Sequence, residues 1–338
     1  MHRILATIAA IYIAPLAAAQ SPSFDEWEAF LIRGDTQGAI RYAENAAELY
    51  PQSGTLAYRA ALSRALAGDQ TESLDWLEAA GERGYSGIAS ITSDDEFDAL
   101  RTDPETRARF GAAVAAVRAN ADARMGAFRE AAAESEPTWI EPPRYREGDA
   151  VTVIIALHGT GGNGKNMAQA WRAAAARIGA VVCGPDAVRP AQGGGFSWTY
   201  RDESAWYVRD LVRQANESYN ADKIVLAGFS QGANIAFAVG NQNPELFDAV
   251  IPVCGHYEAD VANVQTAGDD TPRWYLLIGA RDAWHTTYDA AERDMTAAGI
   301  EVRVKKLPRR GHEFPTGSAG RRVLVEALEW ALGETDAG

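Results

Sequence analysis

The run Gly228-Phe229-Ser230-Gln231-Gly232 stands between an apolar stretch, Ile224 to Ala227, and a segment of helical period that begins Ala233-Asn234-Ile235. A serine between glycines at such a junction predicts a strand-to-helix turn too tight for side chains on either flank. The turn lifts the hydroxyl clear of a sheet and sets it at a helix N-terminus. A serine hydroxyl is a weak nucleophile at its own pKa, so it needs a base within hydrogen-bond reach. Beyond residue 19 the chain offers four histidines: His158, His256, His285 and His312. His312, in Arg310-Gly311-His312-Glu313-Phe314-Pro315, follows the last β-branched run, where a loop can return a side chain to the serine. An acid that orients the imidazole and stabilises its cation is expected at the end of the preceding strand. There Leu276 to Ile278 runs into Gly279-Ala280-Arg281-Asp282. Ser230, Asp282 and His312 then follow the order Ser…Asp…His that belongs to this kind of turn. Asp186 is a rival for the acid. His285 is a rival for the base, although it precedes the last strand. His256 suits a pocket lining, and Asp289 and Asp294 lie on a segment whose solvated helical face accounts for them.

Acyl transfer at a serine also requires two backbone N–H groups aimed at the developing oxyanion. Gln231, directly after the nucleophile, supplies one. The glycine cluster Leu157-His158-Gly159-Thr160-Gly161-Gly162-Asn163-Gly164 supplies the other, through Thr160. A phosphate-binding loop is the competing reading of that cluster, but Asn166 follows Gly164-Lys165 and breaks the required spacing. Pocket candidates are Trp198 and Tyr200, in the loop that starts at Gly193, and Trp284, just past the acid. Trp198 reads equally well as core, and Trp206 reads better as core.

These residues need strands to hold them. β-Branched runs at 151–156, 180–183, 223–227, 249–253, 274–278 and 302–307 alternate with segments of helical period. Strands that alternate with helices predict a mostly parallel sheet covered on both faces, and right-handed crossovers make it a doubly wound α/β domain. That domain is expected over residues 136–334. The preceding part has another grammar, rich in Ala, Leu, Glu and Arg at helical spacing, and predicts an all-α domain over 20–120 followed by a linking helix over 121–135. Gly34-Asp35 recurs as Gly68-Asp69, and 68 − 34 = 34. At the same offset Ala39, Ile40, Tyr42, Ala43 and Ala46 align with Ser73, Leu74, Trp76, Leu77 and Ala80. This period resembles the tetratricopeptide repeat. The resemblance implies either a groove for a protein partner on residues 21–120 or a helical packing layer, and two repeats make only a shallow groove.

The motifs ALHGTGGNG, GFSQGAN, GARD and RGHEFP, in that order, resemble the phospholipase/carboxylesterase branch of the α/β-hydrolases, and are similar to esterase and depolymerase-like members. The resemblance implies hydrolysis of a small-molecule carboxylic ester by an acyl-enzyme route, without metal or organic cofactor. It assigns the nucleophile to Ser230, the acid to Asp282, the base to His312 and the oxyanion donors to Thr160 and Gln231. The sequence departs from the pattern after Asp282, where Ala283-Trp284-His285 stands in place of a Pro-containing loop. A peptidase would use the same machinery, and a repeat-bearing interaction protein with a hydrolase-like scaffold is the alternative of another class.

Composition sets the outer limits. The chain of 338 residues carries a formal net charge of −14, which opposes binding to nucleic acid or to anionic membrane surfaces. His2 and Arg3 precede an uncharged stretch, Ile4 to Ala19, that ends in three alanines. The stretch is short for a membrane span and reads as an export signal over 1–19, cleaved before Gln20, with a periplasmic or secreted mature protein. Cys183 and Cys254 end apolar runs on strands that are not expected to be neighbours, so two buried free thiols are predicted rather than a disulfide.

Overall fold

A computed structural model describes residues 24–191, 193–198, 201–258 and 264–333. The segment read as an export signal lies outside these. The chain divides into two compact units between Gly126 and Ala127.

The first unit is helical: α1 (Phe24–Ile32), α2 (Thr36–Leu49), α3 (Gly54–Leu66), α4 (Gln70–Glu82), α5 (Ile88–Ser93), α6 (Asp98–Thr102) and the start of α7 (Arg107–Ala133). The division falls inside α7, which runs through most of the stretch expected as a linking helix. The aligned positions of the two sequence units occupy helix interfaces in both. Ala39, Ile40, Ala43 and Ala46 on α2 are buried, as are Ser73, Leu74, Leu77 and Ala80 on α4. The one polar member, Ser73, satisfies its hydroxyl by donating to the Ala61 carbonyl at 2.9 Å. The recurring aspartates stand at the two helix starts. Asp35 caps α2 by accepting from the Gly38 N–H at 2.8 Å, whereas Asp69 leaves α4 uncapped and pairs with Arg64 at 3.0 Å.

The second unit is an α/β domain around one seven-stranded sheet. Its strands are β1 (Thr138–Ile140), β2 (Ala150–Leu157), β3 (Val181–Gly184), β6 (Asn220–Phe229), β7 (Ala249–Val253), β8 (Arg273–Gly279) and β9 (Val302–Leu307), in the order β1-β3-β2-β6-β7-β8-β9. All neighbours are parallel except β1 with β3. The six predicted strands are therefore all present. The seventh, β1, comes from the proline-bearing segment before them and sits at the edge, where missing N–H donors do least harm. A two-stranded hairpin, β4 (Arg189–Pro190) with β5 (Phe196–Ser197), forms where the sequence suggested an irregular loop. Helices α8 (Gly164–Ile178), α9 (Arg201–Ser218), α10 (Gln231–Gln242), α11 (Thr287–Ala297) and α12 (Gly317–Ala331) complete the layers. Central strands are continuously apolar and buried, as a sheet covered on both faces demands. The outermost strand β9 instead carries Lys305 and Lys306, paired with Glu326 of α12 and Asp289 of α11, and such charges discourage edge-to-edge association.

Cys183 lies in β3 and Cys254 just after β7, with β2 and β6 between those strands in the sheet, and both are buried free thiols. Burial pushes the Cys183 thiol well up and the Cys254 thiol to about 11, so neither is a ready nucleophile. Native protein should leave a thiol-specific chromogenic reagent unreacted, and unreduced denatured protein should release two equivalents. Fewer than two after denaturation would show that the thiols are paired.

Candidate active site

β6 ends in a turn whose backbone is strained. Ser230 has φ 54° and ψ −118°, a region that costs roughly 1–3 kcal/mol and is kept only where the surroundings enforce it. Its N–H donates to the Val253 carbonyl at the end of β7, at 2.9 Å, and helix α10 begins at the next residue. The two flanking glycines are required sterically. A Cβ on Gly228 would lie 2.2 Å from the Gly232 carbonyl oxygen, and one on Gly232 would lie 2.5 Å from that of Leu157.

Asp282 follows β8, and His312 follows β9. The two strands pair to Gly279 and Leu307, and the ladder is prolonged by the Ala280 N–H donating to the Leu307 carbonyl (2.9 Å) and the Arg281 N–H to that of Arg310 (2.8 Å). Both loops thus leave the sheet in register. His312 Nδ1–H donates to Asp282 Oδ2 at 2.8 Å, and the Ser230 hydroxyl donates to His312 Nε2 at 2.8 Å. Asp282 is buried, and its other oxygen accepts from the Trp284 N–H at 3.0 Å, so both carboxylate oxygens have donors. An acceptor-only carboxylate fixes the imidazole as the Nδ1–H tautomer and leaves Nε2 free to take a proton. The His312 side chain is 39% exposed, so the reacting end of the line is open to solvent and solute. Phe229 and Trp284 flank its ring, at centroid distances of 5.4 and 5.1 Å.

The glycine cluster lies against the serine. The position a Cβ would take on Gly159 is 3.1 Å from Ser230 Cβ. The backbone N–H groups of Thr160 and Gln231 find no acceptor among the described residues, whereas those of Gly161 and Gly162 are used by Phe196 and Gly159. His158 builds this loop rather than reacting in it. It is buried, its Nδ1–H donates to the Gly159 carbonyl (2.7 Å), and its Nε2 accepts from the Ala187 N–H (3.0 Å). Burial lowers its pKa.

The remaining sequence candidates separate. Asp186 accepts from the Gly164 N–H at 2.6 Å and serves the start of α8, whereas the imidazole of His312 is bonded to Asp282. His285 Nδ1–H donates to the backbone carbonyl of Asp282 at 2.7 Å and supports the acid's loop. Asp294 accepts from the Tyr257 hydroxyl, and Asp289 pairs with Lys306. Trp198 is not a pocket wall: it is 4% exposed and its indole N–H donates to the His158 carbonyl at 2.9 Å, because a buried indole needs an acceptor. Tyr200 lies outside the described residues. Trp284, partly buried, does face the site, with the His256 ring stacked on it at 5.5 Å and His256 in turn paired with Glu258. Trp206 is partly buried and packs edge-on against Phe128. Sequence reasoning missed the side chain of Gln231, whose Oε1 accepts from the Trp198 N–H (2.9 Å) and the Ser197 hydroxyl (3.0 Å). No residue pattern announces that contact. Among the described residues no group of histidines, cysteines and carboxylates is disposed to hold a metal ion.

Residues 152–291 match the family model of the alpha/beta hydrolase fold, and the seven-stranded, mostly parallel sheet of the second unit has that fold. No curated protein matches the chain. Similar solved structures include an uncharacterized protein from Bacillus cereus ATCC 10987, at 16% identity over 92% of this chain and 98% of that one, with a TM-score of 0.49. Esterase PE8 is similar at 20% identity over 59% and 99%, with a TM-score of 0.45. A carboxylesterase from Mesorhizobium loti is similar at 19% identity over 54% and 90%, also at 0.45.

The buried, neutral His158 has a consequence for stability. Its pKa in the folded chain lies below that of the unfolded chain, near 6.5, so the unfolded state binds more protons as pH falls through that value. Its contribution therefore lowers stability on acidification. Urea unfolding of the unaltered protein and of His158→Gln at pH 7 and pH 5 should show a smaller loss between the two pH values in the variant. An equal loss would mean that His158 titrates alike in both states.

Proposed function

We propose that this α/β-hydrolase domain is a serine esterase acting on carboxylic esters. The observation that carries the reading is the unbroken line from buried Asp282 through His312 to Ser230, with both hydrogen bonds at 2.8 Å. His312 Nε2 takes the hydroxyl proton as Ser230 Oγ bonds to the ester carbonyl carbon. The carbonyl oxygen becomes an oxyanion that accepts from the Thr160 and Gln231 backbone N–H groups. The imidazolium, stabilised by Asp282, gives its proton to the departing alcohol oxygen as the ester C–O bond breaks, leaving an acyl-serine. Water then attacks the acyl carbon, again losing its proton to His312, and the acid leaves as Ser230 recovers its hydrogen.

The accessible imidazole supports small or extended esters rather than substrates that need a long enclosed tunnel. Trp284, with His256 behind it, offers an apolar wall beside the reacting carbon. We place the working protein outside the cytoplasm, a reading supported by the uncharged run that ends in Ala17-Ala18-Ala19.

Ser230→Ala should lose about 10⁴-fold or more of the kcat for a short-chain p-nitrophenyl ester while unfolding at the same urea concentration. A fluorophosphonate probe should label the unaltered protein at Ser230 and fail to label it once denatured. Undiminished hydrolysis by the variant would remove Ser230 from the mechanism. N-terminal sequencing of protein recovered from a secretion-competent bacterial host should begin at Gln20; a chain that retains Met1 would contradict export by cleavage.

A further inference from the structure

The Gln231 side chain makes contacts that its backbone N–H does not need. Its carbonyl oxygen accepts from the Trp198 N–H (2.9 Å) and from the Ser197 hydroxyl (3.0 Å), and its amide nitrogen donates to the Trp198 carbonyl. The two lone pairs of the amide oxygen are thereby both used. The segment it grips is the one that grips the glycine loop. The Gly161 N–H donates to the Phe196 carbonyl and the Phe196 N–H to the Gly162 carbonyl, each at 2.9 Å, while the Trp198 indole N–H reaches the His158 carbonyl. Residues 158–162 lie past the last pair of the β2–β6 ladder, Leu157 with Gly228, so the sheet itself does not hold them. The hairpin β4–β5 is too short to hold itself, since an isolated two-stranded ribbon is marginal in water. It is also tied by the ion pair of Arg189 with buried Glu203, at 3.1 Å.

We propose that Gln231 is a positioning residue for the oxyanion hole, its side chain fixing Thr160 through residues 196–198 while its own N–H forms the other half. The proposal rests on the serine-esterase reading. Both oxyanion donors are then referenced to one residue. The main-chain amide of Gln231 is placed by the helix start, and its side-chain amide carries that reference across to the glycine loop. One oxyanion donor contributes about 10²–10³ in kcat, and a displacement of about 1 Å costs about 10²-fold.

The test uses the full chain with Gln231→Leu, Gln231→Glu and Trp198→Phe, a p-nitrophenyl ester as substrate and a trifluoromethyl ketone as the oxyanion-forming inhibitor. Gln231→Leu should lower kcat by about 10–100-fold, change KM by less than about threefold, and raise the inhibition constant by the same factor as kcat falls. Trp198→Phe, which removes the indole donor together with part of a buried ring, should shift the same quantities in the same direction. The deficit of Gln231→Glu against the unaltered protein should shrink toward low pH, where a protonated carboxyl again donates and accepts as the amide does. Amide hydrogen exchange at Gly161, Gly162 and Phe196 should quicken in Gln231→Leu, a readout that needs no turnover. A folded Gln231→Leu protein with unchanged kcat, inhibition constant and exchange would overturn the proposal. If that variant does not fold, Ser197→Ala, which removes one bond to the Gln231 side chain, decides it by the same measurements. Failure of the esterase reading looks different: the unaltered protein would then neither turn over esters nor take the fluorophosphonate label, whatever the exchange rates show.

Discussion

At Ser230 the chain keeps a backbone conformation that would relax if its surroundings allowed it, and the strand ends, glycines and helix start around it prevent that. The serine N–H is tied to the end of β7, the glycines on either side of it approach neighbouring carbonyls more closely than any Cβ permits, and α10 starts without an intervening residue. Strain of this kind persists only where packing over-determines it. The benefit is geometric: the hydroxyl stands above the sheet, beside the glycine loop on one flank and the imidazole on the other.

A parallel sheet makes that convergence possible because all its strands end on one side. In open α/β sheets a crevice forms outside the carboxyl ends of the strands, where connections depart in opposite directions. Here β2 has β3 on one side and β6 on the other, so the loop after β2 and the turn after β6 emerge next to each other. β8 and β9 do the same for Asp282 and His312, and their backbone bonds continue past the strand ends into the two loops. Cys254, after β7, shares the constraint. It too has a positive φ, 52°, and its N–H is held by the Leu277 carbonyl of β8.

Environment, not residue type, separates the histidines. His158 is buried with both nitrogens committed to the backbone, a state in which charging is disfavoured by desolvation. His312 keeps one nitrogen on a buried carboxylate and presents the other to the serine and to solvent. His256 and His285 lie nearby but face Glu258 and a backbone carbonyl. Only one of the four is therefore placed to exchange a proton with Ser230.

Six strands, their alternation with helices, the strained turn and the chain order of Ser230, Asp282 and His312 were all legible in the sequence, because each follows from near-neighbour sterics or from chain order. Glycines at 228 and 232 report a turn that excludes Cβ atoms, and β-branched runs report buried strands, wherever the rest of the chain goes. The hairpin at Arg189–Pro190 and Phe196–Ser197, the burial of Trp198, the capping role of Asp186 and the grip of the Gln231 side chain were not legible. Each is a contact between groups distant along the chain, and a side-chain amide or an indole N–H has many acceptable partners until the fold brings one within about 3 Å. The sequence by itself determined which residue types could do chemistry and on which strand ends they would ride. Tertiary structure decided which histidine meets the serine and what holds the glycine loop, because hydrogen bonds select by distance and direction, and neither exists before the strands are paired.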